Sequence, residues 1–183
     1  MNLKSYIHMV KNMVIKYKDI PLTNLVRTYR RDRVDMINGY GAMVNGSDDF
    51  PPVLLVHFPL NGLGLYWNSR VCGNFGNPCI GVSKHIDIDD LEEVLVHELQ
   101  HYIDDIKTKG EAVKKTKYIC LKDYYNSWAE INANFSSYVH KYGFDLLNIS
   151  KFNGYEHLTI KSKKRIINRL VMCRGISNKL KKY

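Results

Sequence analysis

The chain has 183 residues, 45% hydrophobic and 25% charged, a balance that excludes wholesale disorder and fibrous repeats and suits a single globular domain spanning 1–183. No run of about 18 apolar residues occurs, which excludes a transmembrane helix. Lysine and arginine number 27 against 18 aspartates and glutamates, a formal charge of +9.

In chain order, Leu3, Tyr6/Ile7, Val10, Met13/Val14 and Tyr17 recur at helical spacing, so residues 3–18 are predicted as an amphipathic helix ended by Pro21. Lys4, Lys11, Lys16 and Lys18 break up that stretch, and no small-residue cleavage site follows. It therefore does not read as a signal peptide, and a cytoplasmic location is expected. Residues 22–34 continue as a second helix with a basic side formed by Arg27, Arg30, Arg31 and Arg33. Residues 34–44 offer a strand before the Asn45-Gly46 turn. VLLVHF (53–58) and GLYWN (64–68) are β-rich runs, and the turn residues Pro59 to Gly62 between them predict a hairpin. CIGVS (79–83) is a further strand candidate. Of the four cysteines, Cys72 and Cys79 flank a Gly/Asn/Pro-rich loop, and Cys120 and Cys173 stand apart. With no CxxC pair, reduced thiols are expected rather than a disulfide framework.

From Asp89 the pattern turns helical. Asp89 is the candidate N-cap, Glu92 lies three residues on at capping-box spacing, and the helix is expected to end near Gly110. Further helices are predicted at 124–142, near 144–149 and at 159–171. In the last of these Ile160, Ile166/Ile167, Leu170 and Val171 mark an apolar face to dock on the domain, with about the final six residues loose. Its lysines and arginines read as a solvated face with a basic tail. The order of elements, an antiparallel-leaning sheet followed by packed helices, is α+β.

The stretch that carries chemistry is Val94-Leu95-Val96-His97-Glu98-Leu99-Gln100-His101. Two histidines four apart on a helix share a face, so both imidazoles can reach one metal ion. Glu98, one position after the first histidine, stands beside the ion without binding it, where a carboxylate can take a proton from water. Zinc lowers the pKa of such a water to about 7, which makes a nucleophile available at neutral pH. A catalytic zinc needs a third protein ligand. Asp104 and Lys107 occupy the positions where an HExxHxxGxxH run would place glycine and histidine, so the metzincin class is excluded. The best third ligand is Glu130, on the next helix within WAEINANF; His85, His140, His157 and Cys79 are weaker candidates.

HELQH followed by a Glu-led EINAN resembles the gluzincin type of the zincin metallopeptidase superfamily. The pairing is similar to ImmA/IrrE-type domains, where HExxH is followed by an E-x-x-A-N-x-F-A-like helix matched here by Glu130, Ala133, Asn134 and Phe135. HELQHYIDD together with YYNSWAEINA also resembles small metallopeptidase-like proteins encoded by bacteriophages. The likeness spans about residues 79–140 and implies a zincin-like fold, with a small, mostly antiparallel sheet packed on the active-site helix and a helical C-terminal part. It implies one zinc at His97, His101 and Glu130, with Glu98 as general base and a peptide or protein as substrate. For a phage protein the location would be the host cytoplasm or the virion.

The chain departs from the family in two places. Asn134 stands where thermolysin-like enzymes carry an Asp that orients a zinc-bound histidine, and SSYVHKYG replaces an apolar ending. Asp105, one turn after His101, could supply the missing carboxylate. For oxyanion stabilisation Tyr124, Tyr125, Tyr138, His140 and Tyr155 all stay open. An extended substrate is expected to pair with CIGVS as edge strand, beside the loop 73–78. Three functional readings remain. The first is a zinc metallopeptidase; the second is a binding or structural protein that keeps the fold with little turnover. The third, a nucleic-acid-binding protein using the basic segments, is not expected, because no aromatic-basic recognition motif accompanies the charge.

Overall fold

The computed structural model describes residues 1–20, 41–44, 47, 49–57, 60, 62–68, 78–111 and 118–180. The predicted basic helix at 22–34, the Asn45-Gly46 turn, Cys72 and residues 73–77 lie outside them. Helix α1 (Leu3–Tyr17) begins at the N-cap Asn2, whose side chain accepts the Ser5 backbone N–H. Its buried stripe is Tyr6, Ile7, Val10, Met13, Val14 and Tyr17, the face that the apolar spacing marks out. Tyr6 stacks on Phe50 at 4.6 Å and donates its hydroxyl to the Pro51 carbonyl at 2.7 Å, which fixes the helix to the sheet.

Among the described residues the sheet has four strands, β1 (Gly41–Val44), β2 (Val53–Val56), β3 (Gly64–Trp67) and β4 (Cys79–Ser83), in the order β1-β2-β4-β3. β1–β2 and β3–β4 are antiparallel and β2–β4 is parallel. Two of three pairings are thus antiparallel, but the expected β2–β3 hairpin does not form, because β4 lies between the two strands. Burial gives the reason. Every residue of VLLV and of CIGVS is buried, and such continuous apolar runs belong at the centre of a sheet. GLYW leaves Leu65 exposed and takes an edge. CIGVS is therefore an internal strand, and the expectation that it forms the free edge is wrong; among the described residues β3 is that edge on the site's side.

Helix α2 (Ile88–Thr108) starts two residues earlier than the capping-box spacing suggests. Its N-cap is Asp87, which accepts the Asp89 N–H, while Asp89 and Asp90 fill the first turn and complement the helix dipole. Glu92, instead of closing a capping box, binds His140 and Lys11 on neighbouring helices. The helix ends at Lys109 in the left-handed conformation followed by Gly110, as expected from the glycine. The predicted helix 124–142 is two helices, α3 (Leu121–Asn126) and α4 (Trp128–Tyr142). Ser127 breaks them apart in extended conformation and caps α4 by accepting the Glu130 N–H. In place of a helix near 144–149 there are two 3-10 turns, Ile149–Lys151 and Tyr155–His157.

Helix α5 runs from Ile160 to Leu180, nine residues beyond the predicted end at 171, so the chain is helical well into the stretch expected to be loose. Its docked face consists of Ser162, Ile166 and Leu170, whereas Ile160 and Val171 are exposed. The difference is one of phase. Ile166 and Leu170 are four apart, and extending that row backwards lands on Ser162 rather than Ile160. Cys120 and Cys173 are free thiols, and Cys79 is buried in β4.

Two apolar cores result. One joins α1, the sheet and the Leu91, Leu95, Val96 and Leu99 face of α2. The other joins α4, the 3-10 turns and α5 through Ile131, Phe135, Tyr138, Phe152, Leu158, Ile166 and Leu170. Helices α2 and α4 pack on each other between the cores, so polar side chains on their facing sides are enclosed without being in either one. No helix among the described residues is long and apolar enough to cross a membrane.

Candidate metal centre

Helical spacing places His97 and His101 one turn apart on α2, and α4 brings Glu130 to them. The two imidazole Nε2 atoms are 3.2 Å apart. Glu130 Oε2 lies 3.4 Å from His97 Nε2, and Oε1 lies 3.3 Å from His101 Nε2. Three groups with lone pairs thus converge on one point, with all candidate ligand atoms within 4.8 Å of one another. Glu130 Oε2 is buried without a hydrogen-bond partner, an omission a cation would correct. The group can hold a metal ion, and its members are the three residues singled out in the sequence. Of the weaker candidates, His140 pairs with Glu92 at 2.6 Å, His157 stacks on Tyr125, and His85 is exposed. Cys79 is buried in the sheet and is not among the converging groups.

The electrostatics of the cluster follow from burial and mutual contact. Burial pushes the Glu130 carboxyl upward, but the close contact and charge of His101 and His97 outweigh it and hold the group at about 2. Burial pushes His101 downward, and the Glu130 hydrogen bond with the Glu98, Glu130 and Asp104 carboxylates brings it above the ordinary histidine value. Glu98, 7% exposed, is raised, chiefly by burial; the two histidines oppose that rise, and neighbouring Glu130 adds to it. A carboxylate raised in this way beside a metal-ligand set has the character of a proton acceptor poised nearer neutrality.

Glu98 also meets β3, where it accepts the Tyr66 backbone N–H. Gly64 makes this approach possible. A Cβ there would stand 2.5 Å from Val94 Cγ1, 3.1 Å from Glu98 Cγ and 3.2 Å from Glu98 Oε1. A glycine inside a strand run is a sequence signal of close backbone approach, and it went unread at this position.

Of the five candidates for oxyanion stabilisation, Tyr124 is the one whose pKa Glu130 and Glu98 perturb: burial, followed by the Glu130 and Glu98 charges, raises it. Tyr138 donates to the Asp145 carbonyl, Tyr125 stacks on His157, Tyr155 lies under Lys163, and His140 is held by Glu92. Asp105 is not brought to either histidine as the outer carboxylate; the Tyr66 hydroxyl donates to it at 2.8 Å. The next residue inward, Asp104, is the buried one, at 4% exposure. Asn134 accepts the Asn153 side-chain amide at 3.2 Å. The Ser127-x-x-Glu130 capping spacing, legible in the sequence, would have located the start of α4 and with it the orientation of Glu130.

Compared with protein-family models, curated proteins and solved structures, the chain finds no match.

Proposed function

We propose that this protein is a zinc-dependent metallopeptidase with His97, His101 and Glu130 as zinc ligands and Glu98 as general base. One observation carries the proposal: the two imidazole Nε2 atoms stand 3.2 Å apart and each meets its own oxygen of the Glu130 carboxylate, His97 at Oε2 (3.4 Å) and His101 at Oε1 (3.3 Å). Zinc bonds of about 2.0–2.2 Å in tetrahedral geometry require ligands roughly 3.3–3.5 Å apart, so each of these contacts has about the length of an edge of such a site. Three protein ligands leave the fourth position for water or substrate, the pattern of catalytic rather than structural zinc. Bound zinc would supply a Lewis acid that makes water acidic enough to attack a carbonyl at neutral pH.

The chain's own residues would do the rest. Glu98, buried and raised, accepts the proton of the attacking water and passes it to the leaving nitrogen. Tyr124, which neighbours both Glu130 and Glu98, offers a hydroxyl for the charge that develops on the carbonyl oxygen. β3, the end strand of the sheet among the described residues, with Gly64 pressed against Glu98, is the natural strand for an extended peptide to lie along. The zincin-like identity of the fold belongs to the same proposal and is supported by the active-site helix backed on a mixed sheet, with the third ligand on a following helix.

The test compares wild type with Glu98→Gln, a nearly isosteric change that removes the base. Both proteins should bind one zinc, and hydrolysis of a mixed peptide library should fall by about two to four orders of magnitude in the variant. Equal rates in both would refute the role of Glu98. Zinc bound by both with hydrolysis by neither would favour the non-catalytic reading.

A further inference from the structure

The C-terminal helix α5 has no residue in the metal cluster, yet it reaches the polar seam behind it. Arg169 Nη1 donates to Asn132 Oδ1 at 2.9 Å, and the guanidinium lies over the Phe135 ring at 3.9 Å. Asn132 Nδ2 in turn donates to Asp104 Oδ2 at 3.2 Å. The other oxygen of Asp104 accepts Gln100 Nε2 at 2.8 Å, and Gln100 Oε1 accepts the Ser136 hydroxyl at 2.7 Å. Asp104 and Asn132 are 4% and 9% exposed, so these bonds are made away from bulk water. Their positions in the chain matter. Asp104 follows the ligand His101 by three residues on α2, and Asn132 follows the ligand Glu130 by two on α4.

We infer that Arg169 is a positioning residue for the metal centre, acting through Asn132 and Asp104 to fix the His-bearing helix against the Glu-bearing helix. Only donors are available on a guanidinium, so Arg169 must hold the oxygen of the Asn132 amide. That leaves the amide nitrogen, and not the oxygen, facing the Asp104 carboxylate. Without Arg169 the amide is free to turn, and an oxygen presented to Asp104 would repel where the nitrogen now attracts. This helix-to-helix bond therefore depends on a cation from the last helix. It also gives one of the basic side chains of the C-terminal segment an inward role, distinct from any contact with an outside partner. Groups that orient metal ligands at one remove commonly alter affinity by 10–100-fold, and one further step along the relay should give a loss on the order of tenfold.

This inference rests on the zinc reading of His97, His101 and Glu130, and the experiment separates the two. The full chain is titrated with zinc against a competing chelator, and with cobalt to record the visible absorption of the bound ion. Wild type, Arg169→Met, Asn132→Ala and the double variant are compared well below their melting temperatures. Arg169→Met is expected to weaken zinc on the order of tenfold and to alter the cobalt spectrum. The double variant should be no weaker than the worse single one, because both interrupt the same relay. Arg169→Gln, a milder change at the same place, should act in the same direction and serves if the methionine variant fails to fold. A lowered melting temperature with unchanged zinc affinity and cobalt spectrum overturns the inference, since it would mark Arg169 as mere packing. Multiplying losses in the double variant overturn it too. Wild type that binds no zinc overturns the metal reading itself, and this inference with it.

Discussion

Gly64→Ala tests the contact between the edge strand and Glu98. The added Cβ would stand 2.5 Å from Val94 Cγ1, whereas carbon atoms in good contact are about 3.5–4.0 Å apart, so strand or helix must give by about 1 Å. Val94 cannot simply turn away, because a β-branched side chain in a helix has one strongly preferred rotamer. Overpacking of this kind costs about 1–3 kcal/mol. For a chain of this size that corresponds to a fall in melting temperature of roughly 2–12 °C. The remaining contacts, 3.1 and 3.2 Å to the Glu98 side chain, are tight but fall on a longer and more adaptable group. Removing the obstruction with Val94→Ala should therefore return part of the loss, although Val94→Ala alone destabilises. Urea denaturation of wild type, both single variants and the double variant, all free of zinc, gives the coupling directly. A favourable coupling of about 1 kcal/mol or more is expected. Additive single effects, or a Gly64→Ala variant within about 0.5 kcal/mol of wild type, would refute the close approach.

Three further outcomes are expected. His97→Ala, His101→Ala and Glu130→Ala should each lose zinc by elemental analysis, and a variant retaining a full equivalent would remove that residue from the ligand set. In the zinc-free protein, Glu130 is held at about 2, below its ordinary 4.5, so its contribution to stability is present above pH 4.5 and is lost as pH falls toward 2. The stability difference between wild type and Glu130→Gln should accordingly shrink across that window in urea titrations; a difference independent of pH would contradict the buried contact with the histidines. Deleting residues 179–183 should leave zinc content unchanged, since α5 docks through Ser162, Ile166 and Leu170, far upstream of the cut. Any nucleic-acid binding should be weak and steeply salt-dependent, and tight sequence-selective binding lost on the deletion would move the tail to the centre of function.

How much of the fold was legible depended on how local the determining interaction is. The α1 stripe and the α2 end at Lys109-Gly110 are set by periodicity and glycine, both written in consecutive residues. The hairpin between β2 and β3 failed because turn residues describe only a change of direction. Which strand fills the gap between VLLV and GLYW is decided by burial on both faces, and CIGVS wins that place from further along the chain. The error in α5 is similar in kind. Alternative apolar rows were available on one helix, and the surface presented by α4 and the 3-10 turns chose the one through Ile166 and Leu170.

The site shows the same division more sharply. The grouping of His97 and His101 could be read because one helical turn holds both, and Glu130 because a carboxylate on the following helix was the simplest completion. The outer partners could not be read. Asp104 and Asp105 are adjacent and chemically identical, and only the packing of α2 between two cores turns one inward and the other toward Tyr66. Five aromatic or histidine side chains were equally eligible as the nearby hydroxyl or imidazole; the break at Ser127, which ends α3 and starts α4, accompanies the approach of Tyr124 to the Glu130 and Glu98 charges. Histidines one turn apart on a single helix leave a sequence motif, whereas the groups around them come from whichever elements fold against that helix. In this chain those groups reach as far as Arg169, where the surplus of positive charge suggested only a wet surface.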